Sequence, residues 1–226
     1  GCSLTAQQPY NNVVRTTLQA LAAVLGGTNS LHTNSLDETL ALPSDFAVKL
    51  ALRTQQVIAH ESGVANTIDP LGGSYFVEEA TTAMERGCFD YFRRIDALGG
   101  MVEAIEAGFP QREIMDAAYA YQRAVDAKEK IVVGVNEFVE ENEQPIETLY
   151  IDDAVEAEQK KAVAELRRTR DGKAVQAALS VLRQACRDGT NVMPPLIDAV
   201  KTYATVGEIS DVMREVFATY EEPAVF

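Results

Sequence analysis

Cysteines and long apolar runs are scarce in this 226-residue chain, and each scarcity excludes a class of protein. The three cysteines, Cys2, Cys88 and Cys186, are widely scattered, so they match no metal or redox spacing and favour a reducing cytoplasm over a disulfide framework. No apolar run approaches the roughly 20 residues that span a bilayer. Residues 1–10, GCSLTAQQPY, have neither the basic nor the apolar region of a signal peptide. We therefore expect a cytoplasmic protein without a membrane anchor.

Positive charge is also in short supply, because 34 acidic residues outnumber 20 lysines and arginines. The formal net charge of −14 repels phosphates at long range, so nucleic acid is not an expected partner. The composition, with 46% hydrophobic and 24% charged residues, is ordinary for a globular protein of this length.

Helical periodicity is abundant. Gly26-Gly27 and Gly99-Gly100 are helix stop signals, whereas Pro43-Ser44 and Ser74 are helix start signals. Apolar residues recur every three or four positions in six segments, residues 14–25, 47–58, 77–98, 114–125, 175–186 and 209–217.

Strand signals are weak by comparison. Residues 131–135, IVVGV, are a short β-branched run, and residues 29–33, NSLHT, are a second candidate. Residues 137–150 are acidic, contain Pro145 and are predicted to form an exposed connection. The pattern predicts a mostly α chain with one or two short strands.

The most polar connection is residues 26–44, GGTNSLHTNSLDETLALPS, which we call the polar loop. Ser35 and Glu38 have the S-x-x-E spacing of a capping box, in which serine and glutamate side chains satisfy backbone N–H groups at a helix start. His32 has no ligand-spaced partner, so a metal site here is not expected. The residues alone leave two interpretations open, a capped turn and a binding-site wall, and they name no reaction.

The order of several longer blocks is more specific than any one motif. Six of them, SLTAQQPYNNVVRT (3–16), GGTNSLHTNSLDE (26–38), LALPS (40–44), ALRTQQVIAHESGV (51–64), DPLGGSYFVE (69–78) and IVVGVNEF (131–138), occur at consistent spacing. Together they resemble the large, substrate-binding subunit of the adenosylcobalamin-dependent acyl-CoA mutases, the methylmalonyl-CoA mutase family. The resemblance covers nearly the whole chain.

The resemblance implies the C-terminal part of a (β/α)₈ barrel followed by a long helical extension. Residues 1–62 would be the end of the barrel domain, with its last helices and an eighth strand at 29–33, and residues 63–226 would be an extension that wraps the barrel. The absence of Met at position 1 favours a truncated N-terminus. We expect exposed apolar patches where other barrel strands would pack.

The resemblance also implies site residues. Gly1, Glu38, Thr39, Ala41 and Leu42 match positions that contact adenosylcobalamin. Two further residues, Asn29 and Ser30, match positions that hold the acyl-CoA substrate. No catalytic residue and no metal ligand is expected within this chain. Methylmalonyl-CoA mutases usually have Gln at the position of Asn29 and Ala at the position of Thr39, and these departures leave the substrate open.

The implied reaction is the radical interconversion of methylmalonyl-CoA and succinyl-CoA. Isobutyryl-CoA or 2-hydroxyisobutyryl-CoA is the alternative substrate, and a non-catalytic helical assembly module is the alternative of another class. A separate cobalamin-binding small subunit and an oligomer are the implied partners. The chain alone is expected to be inactive, because the family's radical-steering Tyr, carboxylate-binding Arg and substrate-facing His lie on earlier strands.

Overall fold

The computed structural model describes residues 2–221, which form two compact units. The first unit runs to Tyr150 and the second begins at Ile151. Over this described range the chain forms nine α-helices and one short 3-10 helix, Val64–Asn66, and no β-ladder. The α-helices are α1 (Asn11–Leu25), α2 (Asp45–Glu61), α3 (Tyr75–Ala97), α4 (Met101–Glu106), α5 (Phe109–Asp126), α6 (Asp153–Thr169), α7 (Gly172–Arg187), α8 (Met193–Lys201) and α9 (Val206–Phe217).

The six predicted apolar stripes all lie in helices, namely α1, α2, α3, α5, α7 and α9. The boundary signals are confirmed as well. Ser44 is the N-cap of α2 and its hydroxyl accepts a hydrogen bond from the Ala47 N–H at 3.3 Å. Ser74 precedes the first residue of α3, although its side chain makes no capping bond. The positions of these six helices therefore follow from local sequence signals.

The predicted strands are wrong. Residues 29–33 are irregular, and residues 131–135 contribute a single isolated bridge, Val133 to Glu137. A strand is stabilised by hydrogen bonds to a neighbouring strand, and no described segment pairs with either candidate. Instead, the Asn136 side chain accepts from the Val132 N–H at 2.7 Å and turns the chain back on itself. Residues 139–150 have no regular structure, as predicted for the acidic connection.

In the first unit, α1 packs against α2 and α4 packs against α5. The buried side of α1 consists of Asn12, Thr16 and Ala20, whereas Val14 and Leu18 of its apolar stripe are 58% and 61% exposed. The apolar stripe of α1 is therefore not its buried side. A helix buries the face that its neighbours cover, and the polar loop covers the Asn12 face of α1. No residue of α3 is fully buried, and most of its apolar side chains are exposed.

The second unit has an aliphatic core. Helix α7 packs against both α8 and α9. Seven buried residues form one cluster, Val175, Leu179, Leu182, Cys186, Ala199, Ile209 and Val212. These are the residues of the predicted α7 and α9 stripes, with Ala199 added from α8.

The boundary between the units differs from the predicted division of the chain. The division between residues 62 and 63 falls inside the first unit, directly after α2. The assignment of residues 1–62 to the end of a barrel stays a prediction. None of the helices in the described range is long and apolar enough to cross a membrane.

Candidate functional site

The polar loop connects the last turn of α1 to the N-cap of α2. Helix α1 stops at Leu25, and the Gly26 N–H closes its last turn onto Ala22 O at 3.0 Å. The loop then returns to α2, where Thr33 Oγ1 donates to Ala51 O at 2.8 Å and accepts from Gln55 Nε2 at 3.0 Å. The middle of the loop is thus fixed against α2 by hydrogen bonds.

Asp37 anchors the second half of the loop from inside. It is fully buried, and its Oδ2 accepts from the Ser44 N–H at 2.9 Å and from the Ser44 hydroxyl at 2.8 Å. Its backbone carbonyl accepts from the N–H groups of Leu40 and Ala41 at 2.8 and 3.0 Å. Residues 37–44 therefore form a closed turn that ends on the α2 N-cap.

Glu38 is held in one orientation by its neighbours. Its Oε1 accepts from the Ser35 N–H at 2.7 Å and its Oε2 accepts from Asn34 Nδ2 at 2.5 Å. Desolvation opposes ionisation, but the hydrogen bonds from Asn34 and from the Ser35 backbone, together with nearby His32, lower the pKa of Glu38. The Glu38 side chain is 23% exposed, and each carboxylate oxygen accepts one of these bonds, so spare lone pairs remain.

Only half of the predicted capping box forms. Glu38 reaches back to the Ser35 N–H, but the Glu38 N–H donates to the Ser35 backbone carbonyl, at 3.2 Å, rather than to the Ser35 hydroxyl. No helix starts here, because residues 36–40 form a turn and α2 begins at Asp45. The complete capping box of the described range lies elsewhere, between Thr205 and Glu208 at the start of α9.

The other candidate cofactor residues share this turn. Thr39 is exposed, and its Oγ1 donates to Thr5 O at 3.1 Å. Ala41 is half-buried and Leu42 is 61% exposed. The candidate cofactor residues within the described range thus lie on one short stretch of chain, at Glu38, Thr39, Ala41 and Leu42. Gly1, the fifth candidate, lies outside the described residues.

The two candidate substrate residues lie at the other end of the loop. Asn29 and Ser30 are both exposed, just after the α1 stop. The Ser30 carbonyl accepts from Thr28 Oγ1 at 2.9 Å. Among the described residues, no hydrogen bond links this pair to Glu38 or Thr39. The predicted site is therefore two separate patches of one loop.

A residue that the sequence pattern missed sits beneath the turn. Asn12 of α1 is fully buried and donates to Leu36 O at 2.9 Å. Helical periodicity indicates only the apolar side of α1, so it does not predict that this amide is buried. The only sequence signal for it is its position inside the block SLTAQQPYNNVVRT.

A cavity of about 600 Å³ lies beside the buried part of the turn, within the first unit. Leu36, Asp37 and Ser44 contribute to its wall, but Glu38 and Thr39 do not. The remaining lining residues are Tyr10, Asp45, Phe46, Ala47 and residues 146–150. Asp37 Oδ1 has no hydrogen-bond partner among the described residues, yet it is closed off from solvent, so it presents no accessible binding atom.

Comparison with known proteins identifies the class to which this arrangement belongs. A family model described as methylmalonyl-CoA mutase matches residues 1–219. The methylmalonyl-CoA mutase of Rhizobium meliloti (strain 1021) is 48% identical over 97% of this chain and 31% of its own length. The 2-hydroxyisobutanoyl-CoA mutase large subunit of Aquincola tertiaricarbonis is 45% identical over 99% of the chain and 40% of its own length.

A third relative has a similar identity and coverage. The methylmalonyl-CoA mutase large subunit of Propionibacterium freudenreichii subsp. shermanii is 43% identical over 97% of the chain and 31% of its own length. The chain belongs to the methylmalonyl-CoA mutase family. It spans between about a third and two fifths of the length of these curated relatives.

Proposed function

We propose that this chain is part of the large, substrate-binding subunit of an adenosylcobalamin-dependent acyl-CoA mutase that interconverts methylmalonyl-CoA and succinyl-CoA. The observation that carries the proposal is the match of the family model to residues 1–219. In the complete enzyme, residues 1–62 would form the end of a (β/α)₈ barrel and residues 63–226 a helical extension. A separate cobalamin-binding small subunit and an oligomeric assembly belong to the same proposal, supported by the large-subunit names of two relatives.

The turn at residues 38–42 has the chemistry that one side of a corrin needs. A corrin presents a broad apolar face edged with amide groups. The exposed Leu42 offers an apolar contact, and the spare lone pairs of the Glu38 carboxylate can accept from amide N–H groups. The hydrogen bonds from Asn34 and Ser35 hold Glu38 in place before any ligand arrives. These residues fit one wall of a cobalamin site, with Thr39, Ala41 and Gly1 as further contacts.

When bound, adenosylcobalamin supplies a carbon-centred radical by homolysis of its cobalt–carbon bond. The residues of this chain would bind and orient rather than react. Glu38 and Leu42 would hold the corrin edge and exclude water from it. Asn29 and Ser30, an amide and a hydroxyl at the exposed start of the loop, would hydrogen-bond the acyl-CoA.

A second substrate assignment has a specific observation in its favour. The 2-hydroxyisobutanoyl-CoA mutase large subunit is 45% identical to this chain, almost as similar as the 48% identical methylmalonyl-CoA mutase. Asn29, one methylene shorter than the glutamine usual in methylmalonyl-CoA mutases, alters hydrogen-bond reach toward the substrate. Turnover of each acyl-CoA by the complete enzyme separates the two assignments.

The test compares Glu38→Gln with wild type in the complete large subunit, assembled with its cobalamin-binding partner. We expect the dissociation constant of adenosylcobalamin, followed by absorbance, to rise about tenfold with the fold intact. The matched control is Glu79→Gln on the exposed surface of α3, which removes the same charge away from the loop. The same assay measures conversion of methylmalonyl-CoA.

Two outcomes contradict the proposal. If the assembled wild-type enzyme turns over neither acyl-CoA, the proposed mutase activity is wrong. If Glu38→Gln lowers stability but leaves cobalamin affinity unchanged, the chain is better described as a helical assembly module. The 226-residue chain alone is expected to show no turnover when adenosylcobalamin and acyl-CoA are added.

A further inference from the structure

The amide of Asn12 uses all of its hydrogen-bonding capacity on three neighbours. Its Nδ2 donates to Thr5 O at 2.8 Å and to Leu36 O at 2.9 Å. Its Oδ1 accepts from the Thr5 N–H at 3.0 Å and from Arg15 Nη1 at 2.8 Å. Two donor hydrogens and two lone pairs are all that an asparagine amide has, and each is engaged here. The side chain is fully buried, so water cannot replace a lost bond.

These bonds fix the start of the turn that carries the candidate cofactor residues. Leu36 is buried and lies two residues before Glu38, so clamping its carbonyl sets where the turn leaves the protein interior. The Thr39 hydroxyl donates to the same Thr5 carbonyl that accepts from Asn12. Residue 5 is thus joined to the turn both through the Asn12 amide and directly through Thr39.

Arg15 extends the clamp. Its Nη1 also donates to Thr5 Oγ1 at 2.8 Å, and its Nη2 donates to Val133 O at 2.8 Å. The guanidinium therefore holds Asn12 Oδ1 in place and ties the cluster to the turn at residue 133. Directional bonds of this kind specify one geometry, because a partly satisfied buried network costs more than an apolar contact.

We propose that Asn12 is a positioning residue for the cofactor: it sets the turn at residues 36–42 so that Glu38 and Leu42 meet the corrin. The inference rests on the proposed function, because it takes those residues as cofactor contacts. Asn12 itself touches no ligand. Only a primary amide can donate to two carbonyls while accepting from two N–H groups, so an isosteric carboxylate at this position lacks both donors.

The test uses Asn12→Asp in the complete subunit assembled with its cobalamin-binding partner. Two carbonyl oxygens then face a carboxylate, so the turn must shift. We expect the dissociation constant of adenosylcobalamin to rise at least tenfold, while the KM for acyl-CoA stays within twofold. The matched control is Asn11→Asp, since within residues 2–221 the side-chain amide of the neighbouring Asn11 donates only to Gln8 Oε1, at 2.9 Å. That control is expected to stay within twofold in both quantities.

A milder variant covers the case in which Asn12→Asp does not fold. Arg15→Lys keeps the positive charge but removes the planar guanidinium that donates to Asn12 Oδ1. We expect this variant to weaken cofactor binding about threefold. Unchanged cobalamin affinity in the folded Asn12 variant, or in Arg15→Lys if the former does not fold, overturns the inference. A joint rise of cofactor Kd and acyl-CoA KM also overturns it, because that pattern indicates general loosening. Failure of the proposed function is distinguishable, since wild type and Glu38→Gln then show no cofactor binding to compare.

Discussion

Helices α7 to α9 bury aliphatic side chains, whereas α1 and the polar loop bury mostly polar ones. Among the described residues of the second unit, none of the polar or charged residues is classed as buried. In the first unit the buried polar residues are Asn12, Thr16, Thr33, Ser35 and Asp37, all on α1 or in the polar loop. Apolar burial is non-directional and tolerates changes of similar volume, but buried hydrogen bonds demand one geometry. The contrast indicates that the second unit is built for stability and the polar loop for placing side chains.

The largest expected effect comes from opening the aliphatic core. Leu182 on α7 is fully buried, and Leu182→Ala is expected to lower the free energy of unfolding by about 2–5 kcal/mol, because it leaves a cavity. Urea denaturation, with hydrogen exchange of α7 amides, measures it. The control is Val181→Ala on the same helix, 61% exposed, for which we expect less than about 0.5 kcal/mol. Equal effects of the two variants would mean that α7 has no preferred inner face.

A smaller loss is expected at Glu208 in the second unit, a carboxyl group whose pKa is strongly lowered. Arg170, with a nearly buried side chain, forms an ion pair with Glu208, which also accepts from the Thr205 N–H at 2.8 Å. Glu208→Gln leaves the guanidinium without its charge partner and should cost about 2 kcal/mol. The comparison variant is Glu165→Gln, whose pair with Arg168 is largely exposed and contributes under about 1 kcal/mol. If both variants cost the same in urea denaturation, burial of the Arg170 pair has no energetic consequence.

The same ion pair predicts a pH dependence. The hydrogen bond from Arg170 lowers the pKa of Glu208 from 4.5 to about 2, against the opposing effect of desolvation and with help from Thr205. Because the folded-state pKa lies below the unfolded one, the stabilisation is complete above pH 4.5 and is lost as the pH falls toward 2. Urea midpoints of wild type and Glu208→Gln should therefore converge over this window. Parallel curves for the two proteins would place the dependence on other carboxylates.

The smallest effect is expected on the apolar surface of α3. Met84 is 71% exposed and packs into no core, so Met84→Gln should change the free energy of unfolding by less than about 0.5 kcal/mol. Thermal denaturation of Met84→Gln, measured together with Leu182→Ala, compares the two losses of stability. A loss comparable to that of Leu182→Ala would show that the α3 stripe is covered in solution and that the contrast drawn above is incomplete.

Much of the helical architecture could be predicted from local signals. The stop at Gly26, the cap at Ser44 and the periodicity of α7 are properties of neighbouring residues, and the structure keeps all three. The helices that were missed lack such signals. Helix α4 has only six residues and α8 only nine, and α6 buries no residue. A short helix has too few turns for its periodicity to stand out in the sequence.

The candidate site was predictable only in part. The pairing of Glu38 with the Ser35 N–H follows from their spacing in sequence, and it forms. The helix expected at that point does not form, because Asp37 instead closes the turn onto Ser44. The contact between Asp37 and Ser44 joins residues seven positions apart through a buried carboxylate. Helical or strand periodicity in the sequence does not predict a contact of this kind.

By itself, the sequence determined where six of the helices lie and which family the chain belongs to, because caps, periodicity and ordered motifs are local and additive. Tertiary structure alone decided which face of α1 is buried. The inner side of α1 carries Asn12 rather than Leu18, since what covers a helix depends on distant segments such as the turn at Leu36. The strand expected at residues 29–33 fails for the same reason, because a strand needs a partner and residue types alone do not supply one.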